Sequence, residues 1–153
     1  MATISRTKAT LRIAGDALMP EEVSKMLGVA PTSAQRKGQD LRGASGVSRI
    51  AKFGMWRFQA AEASPGDLDA QVQEILGQLT DDMAIWDRIS ALYDVDLFCG
   101  WFMKAENEGM EISANTLRAL GARGIELSLD IYSGDGDKPI CNSDDSDTPQ
   151  SGR

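Results

Sequence analysis

The residues best suited to chemistry in this chain are cations set among glycines. Arg36, Lys37, Arg42, Arg49 and Lys52 fall in one irregular stretch with Gly38, Gly43 and Gly46. Glycines let backbone N–H groups converge on an anion, and arginine forks match a phosphate or a carboxylate. The stretch lacks P-loop spacing, and no helix clearly follows Lys37-Gly38. A solvated loop is the plain alternative. A second set lies on strands: with the pairing proposed below, Arg12, Arg57, Ser128, Asp130 and Tyr132 share one sheet surface able to hold a polar ligand or a partner. The plain alternative there is an Asp–Arg pair with the tyrosine packed under helices. The candidate ligand-binding residues are therefore Arg36, Lys37, Arg57, Asp130 and Tyr132.

Other chemistries lose ground. The chain has no histidine, so it has no Ser-His-Asp or Cys-His nucleophile pair and no imidazole to bind zinc or move a proton near neutral pH. Asp81, Asp82, Asp94 and Asp96 supply carboxylates, and Asp81-Asp82 is most simply a helix cap. Asp135-Gly136-Asp137 resembles a calcium loop faintly, but the ligand register and terminal Glu are missing. Trp56, Trp86, Trp101, Phe98 and Phe102 could build a pocket or a partner hot spot, although such aromatic sets are more often core. No catalytic residue, metal site or cofactor is expected.

Elements must place these residues. The alternation in Thr10–Ala14 predicts a first strand. Pro20, with Glu21 and Glu22, opens a helix that Gly28 ends. Residues 32–54 read as a long basic loop with a short strand near Arg49–Phe53, and Gly54–Ala60 as a second main strand. Leu68, Val72, Ile75, Leu76 and Leu79 recur at helical spacing, and Ile85, Ile89, Leu92 and Tyr93 repeat the pattern. These two helices are expected to form a hairpin. Val95–Met103 is apolar on both faces, which predicts a central strand covered on both sides, with the hairpin over Phe98 and Phe102. Met110–Ile112 reads as a short strand end, Ser113 as an N-cap, Gly121 as a helix stop, and Ile125–Tyr132 as an alternating last strand.

Two phrases run in parallel, Met19-Pro20 to Leu27-Gly28 and Ile112-Ser113 to Leu120-Gly121, each following a strand. They suggest two related strand-helix-strand halves. The resulting expectation is an α+β, ferredoxin-like split βαβ sandwich, with a mostly antiparallel four-stranded sheet and an inserted helical hairpin. One domain spans residues 9–133, and the Ser-, Gly- and Asp-rich tail 134–153 is expected to be disordered.

Composition agrees with one globular domain: 153 residues, 42 % apolar and 25 % charged. No apolar run is long enough for a membrane span, and the N-terminal residues carry charge without the apolar stretch of a signal peptide. Cys99 lies in an apolar strand and Cys141 in the polar tail, so no framework disulfide is expected and a reducing cytoplasm fits. Residues 1–60 hold ten Lys and Arg against four Asp and Glu, while the rest hold six against nineteen, for a net charge of −7. A basic first part suits an anionic ligand, or the two parts neutralise each other across the surface.

The order of these features resembles one family. The opening strand with Gly15, Met19-Pro20-Glu21-Glu22, Leu27-Gly28, Pro31-Thr32 and Lys37-Gly38 is similar to its N-terminal signature. Trp56 is similar to its tryptophan after glycine, and Ser113, Leu117 and Asp130-Ile131-Tyr132 to its C-terminal signature. It is the bacterial domain of unknown function 4279, and the resemblance covers about residues 9–133. It implies the domain limits and a bacterial, cytoplasmic setting, and it brings no catalytic residues.

The functional expectation is a small cytoplasmic binding or interaction protein rather than an enzyme, immunity-like or regulatory, whose acidic surface meets a basic protein partner. The alternative is a sensor or enzyme acting on a phosphate- or carboxylate-bearing ligand through the basic loop and the polar sheet face. Membrane and nucleic-acid partners are not expected, since net-acidic chains seldom bind nucleic acid.

Overall fold

Strict alternation organises the centre of the molecule. Strand β1 (Arg6–Gly15) buries Thr7, Ala9, Leu11 and Ile13 and turns Arg6, Lys8, Thr10 and Arg12 to the other side. The computed structural model describes residues 2–133; the acidic tail, the Asp135–Asp137 pair and Cys141 lie outside them. Ten more elements follow: α1 (Pro20–Leu27), β2 (Ser33–Gln35), β3 (Asp40–Arg42), β4 (Ser48–Ile50), β5 (Gly54–Gln59), α2 (Leu68–Gln78), α3 (Met83–Leu92), β6 (Asp94–Phe102), α4 (Ala114–Ala122) and β7 (Glu126–Tyr132).

The fold is α+β. Its main sheet is five-stranded and mixed, in the order β2-β5-β1-β6-β7, with β3 and β4 as a separate two-stranded ribbon. The expectation of a mostly antiparallel four-stranded sheet is corrected on this point. β1 is antiparallel to both β5 and β6, but β7 runs parallel to β6. A parallel return needs a long crossover, and the segment between β6 and β7 supplies one in α4. Because β6 and β7 are direct neighbours, no strand is inserted between them as a split βαβ requires. β1 and β6 are central, as expected, but β5 is not an edge, since the short β2 covers it.

The helices share one side. Trp56, Phe58, Val95, Leu97 and Cys99 join Leu11 and Ile13 in a core closed by Val23 and Leu27 of α1, Leu68, Val72 and Ile75 of α2, Trp86 and Ile89 of α3, and Leu120 of α4. The two largest core side chains also satisfy their polar atoms. Trp56 Nε1 donates to Ser24 Oγ at 3.0 Å, and Trp86 Nε1 donates to the Thr80 carbonyl at 2.8 Å. α2 rests on β1 and α4, while α3 rests on β6 and α1. Consecutive in sequence, the two helices thus serve different neighbours, and neither covers Phe98 or Phe102. No helix among the described residues lies over the face expected beneath a hairpin. Arginines cover its rings instead: the Arg12 guanidinium lies 4.3 Å from the Phe98 ring centre and that of Arg6 lies 3.9 Å from the Phe102 ring centre.

Helix ends follow local chemistry. Asp67, Asp82 and Ser113 accept hydrogen bonds from Ala70, Ala84 and Thr116 amides as N-caps. α1 stops at Gly28, which takes φ +83°. α4 does not stop at Gly121. It continues to Ala122, its last turn tightens, and Gly124 takes the left-handed conformation at φ +68°. Met110–Ile112 forms no strand.

Candidate functional site

Strand register sets the open face in rows. The decisive row crosses all five strands: Ser33 of β2, Arg57 of β5, Arg12 of β1, Asp96 of β6 and Glu126 of β7 stand opposite one another in turn. Two cations therefore adjoin two carboxylates.

Arg12 is fully engaged. Its Nε and Nη2 donate to the two Asp96 carboxylate oxygens at 2.8 and 2.5 Å, and Ser128 Oγ donates to Asp96 at 2.9 Å. This fork is the strong geometry for an arginine–carboxylate pair. The hydrogen bonds to Asp96 raise the Arg12 pKa above its ordinary value against the cost of burial. Arg57 has no carboxylate partner among the described residues. Burial, followed by the charges of Arg12 and Arg49, lowers its pKa. Like charges directly opposite on adjacent strands are destabilising, so this half-buried cation sits at a cost that its own neighbours do not offset.

The ribbon of β3 and β4 brings more positive charge. Backbone bonds from Gly38 to Ala51 and from Ala51 to Gln39, both 2.8 Å, fasten the ribbon's base. Gln35 Nε2 also donates to the Phe53 carbonyl at 3.0 Å. Arg49, Lys52 and Phe53 then join Arg12, Arg57 and Met55 around a depression of about 430 Å³. A second depression of about 660 Å³ continues past Arg12, Phe53 and Met55 toward Asp16, Asp94 and Glu126.

The five candidate residues occupy three places. Arg57 is at the centre. Arg36 and Lys37 are exposed and paired with Glu21 at 2.6 Å and Asp16 at 2.7 Å, and they line a separate hollow beside Pro20 and Gly38. Asp130 and Tyr132 lie along β7, where the Tyr132 hydroxyl donates to Asp130 at 2.6 Å and its ring stacks on Phe102 at 4.7 Å. At about 3.3 Å per residue, Tyr132 is about 20 Å along the strand from the Arg57 row. One small ligand does not span them. The Arg12–Asp96 fork was not among the candidates, although its signal lies in the sequence: Asp96 shares the Phe98 face of β6.

Around Arg57 the depression offers cations, the Gln35 amide and apolar walls. Cys99 points to the core, where burial, with the Asp96 charge, pushes its thiol up to about 12, so it is protonated at neutral pH. Among the described residues there is no group of three or more Cys, Asp or Glu able to hold a metal, and no helix is long and apolar enough to cross a membrane.

Residues 5–134 match the family described as "Domain of unknown function (DUF4279)". The chain belongs to that family. The DUF4279 match takes in every strand and helix of the fold, and so the complete charge row. No curated protein and no solved structure matches the chain significantly.

Proposed function

We propose that this DUF4279 protein binds a small phosphate- or carboxylate-bearing molecule in the depression between the sheet and the β3–β4 ribbon. One observation carries the reading: Arg57 stands half-buried beside Arg12 and near Arg49, with no carboxylate partner among the described residues. An anion would satisfy the Arg57 fork and relieve the repulsion within the cluster. Phe53 and Met55 offer an apolar wall to the rest of the ligand. The reading favours a binding or sensing role over catalysis, and a small ligand over the basic protein partner suggested by net charge.

A melting series with phosphate, pyrophosphate and mono- and dicarboxylates tests it. A ligand present at one hundred times its Kd stabilises the protein by about 2.7 kcal/mol. The stabilisation should vanish in Arg57→Gln and fall in Arg49→Gln, while Arg36→Ala should keep it. Equal responses from wild type and Arg57→Gln, or none from any anion, would sink the reading.

A further inference from the structure

Strand β7 is an exposed edge of a kind that proteins usually protect. It is seven residues long and contains no Lys, Arg, Pro or Gly; its charges are two carboxylates, Glu126 and Asp130, both on the face away from the helices. The opposite edge, β2, has only three residues. Along β7 the helix layer runs out: Leu127 is half-buried, Leu129 is 42 % exposed and Ile131 is 55 % exposed. α4, the helix that packs on β7, leaves Leu117 51 % exposed. No other described strand pairs with the outer side of β7.

The strand is complementary to itself. In Glu126-Leu127-Ser128-Leu129-Asp130-Ile131-Tyr132, polar and apolar residues are symmetric about Leu129. In an antiparallel pair of β7 strands centred there, Leu129 meets Leu129 and Leu127 meets Ile131. Ser128 stands opposite Asp130, and Tyr132 opposite Glu126, so each carboxylate faces a hydroxyl. Other registers are worse. Centring on Ser128 sets Glu126 against Asp130, and centring on Asp130 sets that carboxylate against itself. A parallel in-register pair does so for both acids. Odd offsets place apolar residues against polar ones, which a half-covered sheet does not tolerate.

We propose that a second copy of this chain docks on β7, antiparallel and centred on Leu129, joining two five-stranded sheets into one. The exposed Leu129 and Ile131 side chains of both copies then meet on the helix side, and the two open faces become continuous. The two Asp130 carboxylates lie on a diagonal, about 7–8 Å apart, so added salt tightens the dimer by screening them.

Sedimentation equilibrium of the full chain over a range of concentration and salt is the test. The wild type should dimerise, more tightly at higher salt. Leu129→Lys and Ile131→Lys should be monomers with unchanged far-ultraviolet dichroism, because both side chains are already exposed. In a Cys141→Ser background, Leu129→Cys should cross-link to itself on oxidation or with a short bismaleimide, and Ile131→Cys should not, since its opposite residue is Leu127. A wild-type monomer at every concentration overturns the proposal. So does a monomer whose β7 amides resist hydrogen exchange, which would assign the edge to the chain's own C-terminal segment. A dimer that survives Leu129→Lys, or self-cross-linking by Ile131→Cys equal to that of Leu129→Cys, overturns it as well.

Discussion

Arg57 and Gln71 show opposite ways of burying polarity. Gln71 is 2 % exposed, yet it accepts from the Thr7 hydroxyl at 2.8 Å and donates to the Thr7 and Ala61 carbonyls at 3.0 and 2.9 Å. Gln71→Ala would take the acceptor from the buried Thr7 hydroxyl and the donor from the Ala61 carbonyl, while the Thr7 carbonyl keeps the Ala63 amide, so a loss of about 1–3 kcal/mol is expected from the denaturant midpoint. Arg57 has no such partners among the described residues. Arg57→Gln keeps much of the side chain and removes the repelling charge, so in anion-free, low-salt buffer it should melt higher than wild type. Added inert salt should shrink the gain by screening the cluster. A lower melting point for Arg57→Gln under those conditions would show that Arg57 is a structural residue. The sequence disclosed both side chains and the face of the strand that carries Arg57. It did not disclose that Gln71, on a helix read for its apolar stripe, reaches back to β1, because a glutamine at one helical position carries no mark of its distant partner.

At the scale of elements, N-caps and alternation were readable because they depend on neighbouring residues alone. Asp67, Asp82 and Ser113 behave as their types dictate. The β3–β4 ribbon was half legible: the short strand expected near Arg49–Phe53 overlaps β4, but β3 and the pairing were hidden, since both strands are three residues long and rich in Ser, Arg and Asp, without a buried face to impose a pattern. The turn at Glu106–Gly109 was legible, but the clasp that holds it was not, because its partner Ser5 lies 103 residues away in sequence. The turn is organised by Glu108, which accepts from the Ser5 amide and hydroxyl at 3.0 and 2.8 Å and from the Lys104 and Ala105 amides at 3.1 and 3.2 Å. Desolvation pushes this carboxyl up, but the hydrogen bonds from Ser5, Lys104 and Ala105 together outweigh it and leave the pKa below its ordinary value. A carboxyl with a lowered folded pKa contributes stability above its unfolded pKa, about 4.3 for Glu, and loses it as pH falls through the folded value. The protection factors of the Ser5, Lys104 and Ala105 amides, corrected for intrinsic exchange, should therefore fall below about pH 4, while those of Gln71 and the core do not. Glu108→Gln should produce the same local loosening at neutral pH. Protection factors that are flat across that range would count against Glu108 as the clasp.

For the whole molecule, the sequence pointed to an α+β fold with two central strands, and both were located. It misassigned the pairing of β7 and the cover of β6. Phe98 and Phe102 make a strand look buried on both sides, but an aromatic ring under a guanidinium is satisfied without a helix above it. The direction of β7 depends on where the chain crosses after β6, and residues 103–113 carry no periodicity to show it. The same topology has a consequence for biosynthesis. β1 is the hub of the sheet, and its partners β5 and β6 lie at residues 54–59 and 94–102. At about 5–20 residues per second, translation leaves β1 outside the ribosome for on the order of 4–18 s before the second of them exists. During that interval Leu11 and Ile13 lack the core that later encloses them, and an unpaired apolar strand of this kind is the surface through which nascent chains associate wrongly.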